Sequence, residues 1–182
     1  MATGSNLLTE ALERSHHDRI LLEIYSRDSD SDRFAVGWIV TLSDSFYIAA
    51  TVDKQGRADG FQAGNVDDLL MVASRGEYLD AISKAMMDHL DEWPKPIEAT
   101  SMKELLERVK DAKEVVTLMH SNGLRYEGIV VAFDETHIGL DVYGRVGEYE
   151  GRYIFAREDV GRATFGGPDQ RKVALLMRRA TE

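Results

Sequence analysis

The stretch "GLRYEGIVVAFDETHIGL" (Gly123–Leu140) decides how this chain is read. Two glycines stand five residues apart, an apolar run follows, then an Asp-Glu turn, then a second apolar run. Val, Ile and Phe suit a pleated, half-buried surface, and the Asp marks the turn between two strands. A glycine inside a strand permits a sharp bend, which places the bend at Gly128. Ile129, Val131 and Phe133 alternate with Val130 and Ala132, so both faces of the strand are apolar. Such a strand is expected to be covered on both sides, with the preceding helix as the lid.

Working outward, an edited version of this stretch recurs earlier in the chain. An offset of 91 residues aligns Gly37 with Gly128, Gly56 with Gly147, Gly60 with Gly151, Asp68 with Asp159 and Gly76 with Gly167. Upstream the offset becomes 94 and pairs Glu10, Leu12, Glu13 and Arg14 with Glu104, Leu106, Glu107 and Arg108. The three-residue change falls in the polar loop "SRDSDSDR", where insertions are tolerated. The chain is therefore expected to be a tandem duplication. "WPKPIEATS" holds two of the three prolines and is the expected linker.

Each copy begins with an amphipathic helix, through Leu7, Leu8, Ala11 and Leu12 in the first and Met102, Leu105, Leu106 and Val109 in the second. Thr100 or Ser101 is the expected N-cap of the second, with Glu104 placed for a capping box on Ser101. Strands are expected near 20–26, 33–43, 45–52, 59–64 and 68–74, and again near 114–120, 124–134, 136–143, 151–156 and 160–165. A closing helix follows each set. One carries Tyr78, Leu79, Ile82, Met86, Leu90 and Trp93, and the other Val173, Leu176 and Met177. Five short antiparallel strands leave two open edges, which closing the sheet would remove.

The motif Val116, Leu118, Gly123, Gly128, Ile129, Val130, Phe133, Asp134, Leu140 resembles that of the Sm and Sm-like (LSm) family. The first copy keeps Leu22, Ile24, Gly37, Ile39, Leu42, Asp44 and Ile48, with an acidic insertion where Gly123 would align. An SH3-like small barrel of another family has the same outline. The resemblance implies a mainly β, α+β fold of two tandem five-stranded Sm-like or SH3-like barrels, each with an N-terminal and a C-terminal helix. The expected divisions are 1–93, a linker at 94–100, and 101–182. The family's RNA pocket uses an Asn just after the Asp turn and an Arg-Gly pair at the end of the fourth strand. Here the Asn position falls on Ile138 or Gly139, and on Ile48 or its neighbours in the first copy; the fourth strands end "YIFAREDV" and "FQAGNVDDL". The resemblance thus implies the fold without the pocket. It also implies pairing of a fourth strand of one unit with a fifth strand of the next, within the chain or between chains.

Totals narrow the function classes. The 182 residues are 43% hydrophobic and 30% charged, with no cysteine, so disulfides and thiolate metal sites are excluded. No apolar run approaches the roughly 18–20 residues of a membrane helix, and the N-terminus lacks signal-peptide character. A cytoplasmic location is expected. Net charge is −10, divided as −9 over residues 1–93 and −1 over 94–182. An acidic surface repels phosphate backbones, so DNA is not expected as a partner and any RNA contact would use the second copy.

Candidate chemistry is sparse. Asp28, Asp30 and Asp32 alternate like the start of a calcium loop, but Arg33 and Ile39 stand where that loop needs Gly and Glu. His16 and His17 are adjacent and point apart; His89, His120 and His137 are isolated. The acid pairs Asp67-Asp68 and Glu158-Asp159 suit turns, and "GGPDQ" suits a turn before a helix. Tyr47, Phe46 and His137 could stack on bases but also suit a core. No catalytic, cofactor or metal site is expected. Arg125, Arg145, Arg152, Arg171, Lys172, Arg178 and Arg179 form the expected contact surface. The reading is a non-enzymatic interaction or assembly module that self-associates through strand edges. The alternative is an RNA-associated regulator using a non-standard surface on the second copy, and a small hydrolase or ligand-binding barrel is a third class.

Overall fold

A computed structural model describes residues 7–27, 34–89, 93, 95, 97–121 and 123–180. The acidic run 28–33 and both linker prolines, Pro94 and Pro96, lie outside the described residues, as does Leu90. The first half runs α1 (Leu7–Asp18), β1 (Leu22–Ser26), β2 (Ala35–Leu42), β3 (Phe46–Val52), β4 (Ala58–Asn65), β5 (Leu69–Ala73) and α2 (Glu77–Met86). The second runs α3 (Met102–Asp111), β6 (Val115–His120), β7 (Arg125–Phe133), β8 (His137–Tyr143), β9 (Tyr149–Ala156), β10 (Val160–Phe165) and α4 (Pro168–Ala180). A single 3₁₀ turn bridges the last two strands of each half, Val66–Asp68 and Arg157–Asp159. The 91-residue offset carries β3 onto β8, β4 onto β9 and the first 3₁₀ turn onto the second without remainder.

The expectation of two closed five-stranded barrels does not hold. All ten strands form one open antiparallel sheet in the order β5-β1-β2-β3-β4-β10-β6-β7-β8-β9. Within each half the fourth and fifth strands do not pair. Instead β4 of the first half pairs with β10 of the second, Phe61 opposite Phe165 and Ala63 opposite Ala163. The reason is physical: an edge strand needs partners for its N–H and C=O groups, and the other half supplies them as well as closure would. This is the fourth-to-fifth strand contact expected between units, made inside the chain.

The bend has the expected cause. A Cβ on Gly128 would run into the carbonyl oxygen of Asp141, and a Cβ on Gly37 into that of Ala50. Only glycine lets the two strands approach this closely. Bulges follow at equivalent places, Ile39–Thr41 in β2 and Val130–Ala132 in β7, and add curvature. In the first half the bulge is tied down by α1, where fully buried Ser15 accepts from the Ile39 N–H at 3.0 Å and donates to the Ile20 carbonyl at 2.7 Å.

Covering of β7 is less complete than its two apolar faces suggest. Val130 is buried, Ile129, Val131 and Phe133 are half-buried, and Ala132 is exposed. The strand buried at every position is β3. Phe46, Ile48 and Ala50 enter a core that crosses the junction, with Leu105, Leu106 and Val109 of α3 and with Leu118, Leu140 and Phe165. Tyr47 and Ala49 enter a second core with Leu12, Leu22, Ile24 and Ile39. The N-cap of α3 is Ser101, whose hydroxyl accepts from the Glu104 N–H at 3.2 Å. The return bond goes to Thr100 rather than Ser101: Glu104 Oε2 accepts from the Thr100 N–H at 2.9 Å. Helix α2 ends at Met86, buries Leu79 and Ile82, and leaves Trp93 beyond its end, packed on Trp38 with ring centroids 4.4 Å apart.

The two glycines of Gly123–Leu140 have different causes and should respond differently. Gly123 has φ +82° with open space around it, so alanine there costs the left-handed backbone penalty, about 1–2 kcal/mol. Gly128→Ala adds a backbone collision and is expected to cost more than Gly123→Ala, up to about 3 kcal/mol, in urea unfolding. Equal midpoints for the two variants would refute the close-approach account.

Candidate functional site

At the Asp134 turn, where the Sm-like resemblance would put an RNA pocket, the side chains cap their own turns. Asp134 Oδ1 accepts from the Thr136 N–H (2.7 Å), the His137 N–H (2.7 Å) and the Thr136 hydroxyl (2.9 Å). These bonds, the backbone ones first, hold its carboxyl below the usual range. Ile138 is fully buried. The 3₁₀ turn closes over the same loop, the Arg157 N–H donating to the Thr136 carbonyl at 2.8 Å. The first half repeats this with Val66 N–H and the Ser45 carbonyl at 2.9 Å, and Asn65 Nδ2 donates to Asp68 Oδ2 at 2.9 Å. Asp159 accepts from the Ser121 N–H at 2.7 Å through its backbone carbonyl, and its carboxylate lies 3.6 Å from His120 Nε2. The acid pairs are thus turn residues.

Tyr47 and Phe46 are core, Tyr47 receiving Gln62 Nε2 at 2.9 Å, and are not stacking surfaces. His137 lies 2.9 Å from the Thr136 hydroxyl. Among the described residues no three His, Asp or Glu side chains are arranged to hold a metal ion. Among them also, no helix is long and apolar enough to cross a membrane.

The seven expected contact residues divide. Arg125, Arg145 and Lys172 line one groove of about 590 Å³ between α4 and the start of β7 and end of β8. Arg152 leaves that groove and forms a two-pronged pair with Asp141, at 2.7 and 3.0 Å, holding that carboxyl low. Arg171 donates to the Gly166 carbonyl at 2.6 Å and anchors the start of α4. Arg178 and Arg179 sit in the last turn of α4, where a positive charge suits the helix end.

A second groove, about 750 Å³, is the repeat-equivalent of the first. Ala35, Val36, Thr51, Val52, Asp53, Lys54 and Asp59 in one correspond to Tyr126, Glu127, Val142, Tyr143, Gly144, Arg145 and Glu150 in the other. The first-half groove has a further wall, supplied by Thr164, Pro168 and Gln170 of the second half. Arg125 and Asp169 line both grooves. The spacing of these residues along the chain gave no sign of either groove; only the duplication, applied to pockets rather than glycines, would have found them.

Acids in the grooves are perturbed upward. Burial, then Asp53 and Asp169, raise Asp59. Burial, then Asp169, raise Glu127, whose Oε1 is enclosed with no hydrogen-bond partner.

The remaining feature is the pair of sheet edges, β5 and β9. Both expose apolar side chains: Leu70 is 57% and Met71 49% exposed on β5, and Ile154 is 70% exposed on β9. They are the repeat-equivalents of the two strands that pair at the junction. The junction is also tight at one glycine contact, where a Cβ on Gly60 would meet the Gly167 nitrogen at 2.5 Å. The equivalents at the edges are Gly151 and Gly76; a Cβ on Gly76 meets nothing within 4 Å, and one on Gly151 only Tyr153 at 3.8 Å. No protein-family model matches this chain, nor does any curated protein.

Glu127 gives a pH test. Its carboxyl is raised in the folded state, so its charged form opposes folding above the folded value, and that penalty is relieved as pH falls through it. Glu127→Gln should therefore raise Tm at pH 7, and the gain should shrink toward pH 4. A gain that grows on acidification would reverse the assignment. The lowered carboxyls of Asp134 and Asp141 are common to both proteins and cancel in the comparison.

Proposed function

We propose that this protein is a non-enzymatic assembly module of the Sm-like kind that self-associates through its two free strand edges. The observation that carries this reading is that β9 and β5 are the repeat-equivalents of β4 and β10, which pair inside the chain. Transferring the internal register by 91 residues sets β9 of one copy antiparallel to β5 of the next. Ile154 then faces Val72, Phe155 faces Met71 and Tyr153 faces Ala73. Main-chain hydrogen bonds supply affinity in such strand addition, and the alternate side chains supply register. The contact is head-to-tail: each chain uses one surface to give and a different one to receive. Repeating it yields a closed ring if the rotation closes and a filament if it does not.

Lysine on an edge strand blocks pairing while tolerating exposure. Wild-type protein is expected to show masses above 20.4 kDa by light scattering, rising with concentration until closure. Ile154→Lys and Met71→Lys should each be monomeric and folded by circular dichroism. Mixed in equal amounts, they should give a dimer and nothing larger, because one intact β5 meets one intact β9. A wild-type chain that stays monomeric at about 100 times the working concentration sinks this reading. A 260 nm absorbance excess that high salt removes would favour the RNA-associated alternative.

A further inference from the structure

We infer that the groove of the second half is completed by the first turn of α2 from a second copy, which brings Glu77 and Tyr78 against Arg125, Arg145 and Lys172. The inference rests on the β9-to-β5 pairing and adds a second contact to it.

Inside the chain, the first-half groove is built from two halves. Its near side is its own strands with Phe34 and Tyr78 of the same half, as Arg125 and Asp169 line the second-half groove as well as this one. Its far wall is the start of the other half's closing helix, Pro168 and Asp169, with Arg125 from the start of β7. The second-half groove has the corresponding near side, with Asp169, Lys172 and Val173 of its own closing helix, but no such wall from the other half among the described residues. The residues that would supply it lie 91 positions earlier: Glu77 for Pro168, Tyr78 for Asp169, Phe34 for Arg125. They belong to the first half, beside the free β5 edge. In a β9-to-β5 contact they come from the neighbouring copy.

These residues are suited to such a position. Phe34 and Tyr78 are both over a third exposed, 37% and 39%, yet are held as a unit, edge to face with centroids 5.9 Å apart. Tyr25 packs behind Phe34 at 4.9 Å. A supported aromatic pair on the surface makes a rigid wedge. The first turn of α2 is acidic, with Glu77 and Asp80. The groove it would enter is lined by three cations, Arg125, Arg145 and Lys172, and by three acids, Glu127, Glu150 and Asp169. The lining is balanced overall, so the contact depends on local pairing: Arg145, exposed at the rim, is the cation set opposite Glu77, and a cation over the Tyr78 ring adds attraction. The glycine at this place, Gly76, has open space around it, as Gly167 does not where it meets Gly60. A partner strand can approach there as closely as at the internal junction.

The test is a charge-reversal cycle on the full chain, read by sedimentation of the assembly. Arg145→Glu lies in an exposed loop and should leave the fold intact. It is expected to weaken association about two- to five-fold, as an exposed pair does, and to flatten its salt dependence. Glu77→Arg alone should do the same. The chain carrying both changes should recover, because residue 77 of one copy meets residue 145 of the next. Hydrogen exchange at residues 77–80 should slow with rising protein concentration in the wild type and in the double variant. If the wild type assembles but both single variants behave like it, the groove contact is wrong and the strand pairing stands. The same holds if the double variant is weaker than either single. If Ile154→Lys leaves the mass unchanged, the strand pairing itself fails and this contact with it.

Discussion

The ladder between β4 and β10 is the constraint on which the rest of the structure depends. It joins two halves that could each have closed upon themselves. Along it, Phe61 and Phe165 stack with ring centroids 5.3 Å apart. Gly60 and Gly167 let the chain ends of the junction meet backbone to backbone. Beneath it lies a core that draws on β3, β4, β6, β8, β10 and α3 together. Large cores stabilise in proportion to apolar area removed from water, so a shared core binds the halves more firmly than two small ones would. The pairing also reduces four sheet edges to two, and those two are left by symmetry rather than by accident.

What the copies share and where they differ follow from this. They share what bends the sheet: the close approach at Gly37 and Gly128, the bulge two residues later, and the 3₁₀ turn before the last strand. They differ on the surfaces around the junction. Arg125 and Asp169 are the second half's residues at the internal groove, whereas the first half has Phe34 and Tyr78. Arg125 and Asp169 are charged, and their counterparts Phe34 and Tyr78, which line the same groove from the first half, are aromatic and over a third exposed. The charge divides in the same sense, −9 against −1. Two copies of one surface have become two different surfaces, which is the condition for a directional contact.

The helices, the strand positions within each half and the bend were legible because they depend on local spacing and on glycines that recur at a fixed offset. Closure was not. A curved strand with an apolar face looks the same whether its outer edge meets its own half or another, since both satisfy the same N–H and C=O groups. The alternation in β7 suggested two covered faces, yet Ala132 faces solvent, while the strand sealed on both sides, β3, carries small residues, Ala49 and Ala50, that the pattern weighs lightly. Of the seven basic residues, Arg125, Arg145 and Lys172 converge from three separate elements, and nothing in their spacing along the chain distinguishes them from Arg152, which is spent on Asp141.

The turns where the Sm-like resemblance would put an RNA pocket are closed by their own side chains. Asp134 uses one oxygen for three hydrogen bonds, and the 3₁₀ turn reaches across to the Thr136 carbonyl. Opening them would strand the polar groups they satisfy, at a cost of about 1–3 kcal/mol for each group left buried without a partner. The edges present the opposite situation. β5 and β9 end the sheet, so among the described residues no strand pairs with their outward N–H and C=O groups, and Leu70, Met71 and Ile154 lie on the surface beside them. A partner strand would pair these groups and cover the apolar side chains at once, as β4 and β10 do for each other within the chain. Pairing a strand at an open edge disturbs fewer satisfied groups than opening these turns, which supports the proposal of association at the sheet edges rather than in the loops.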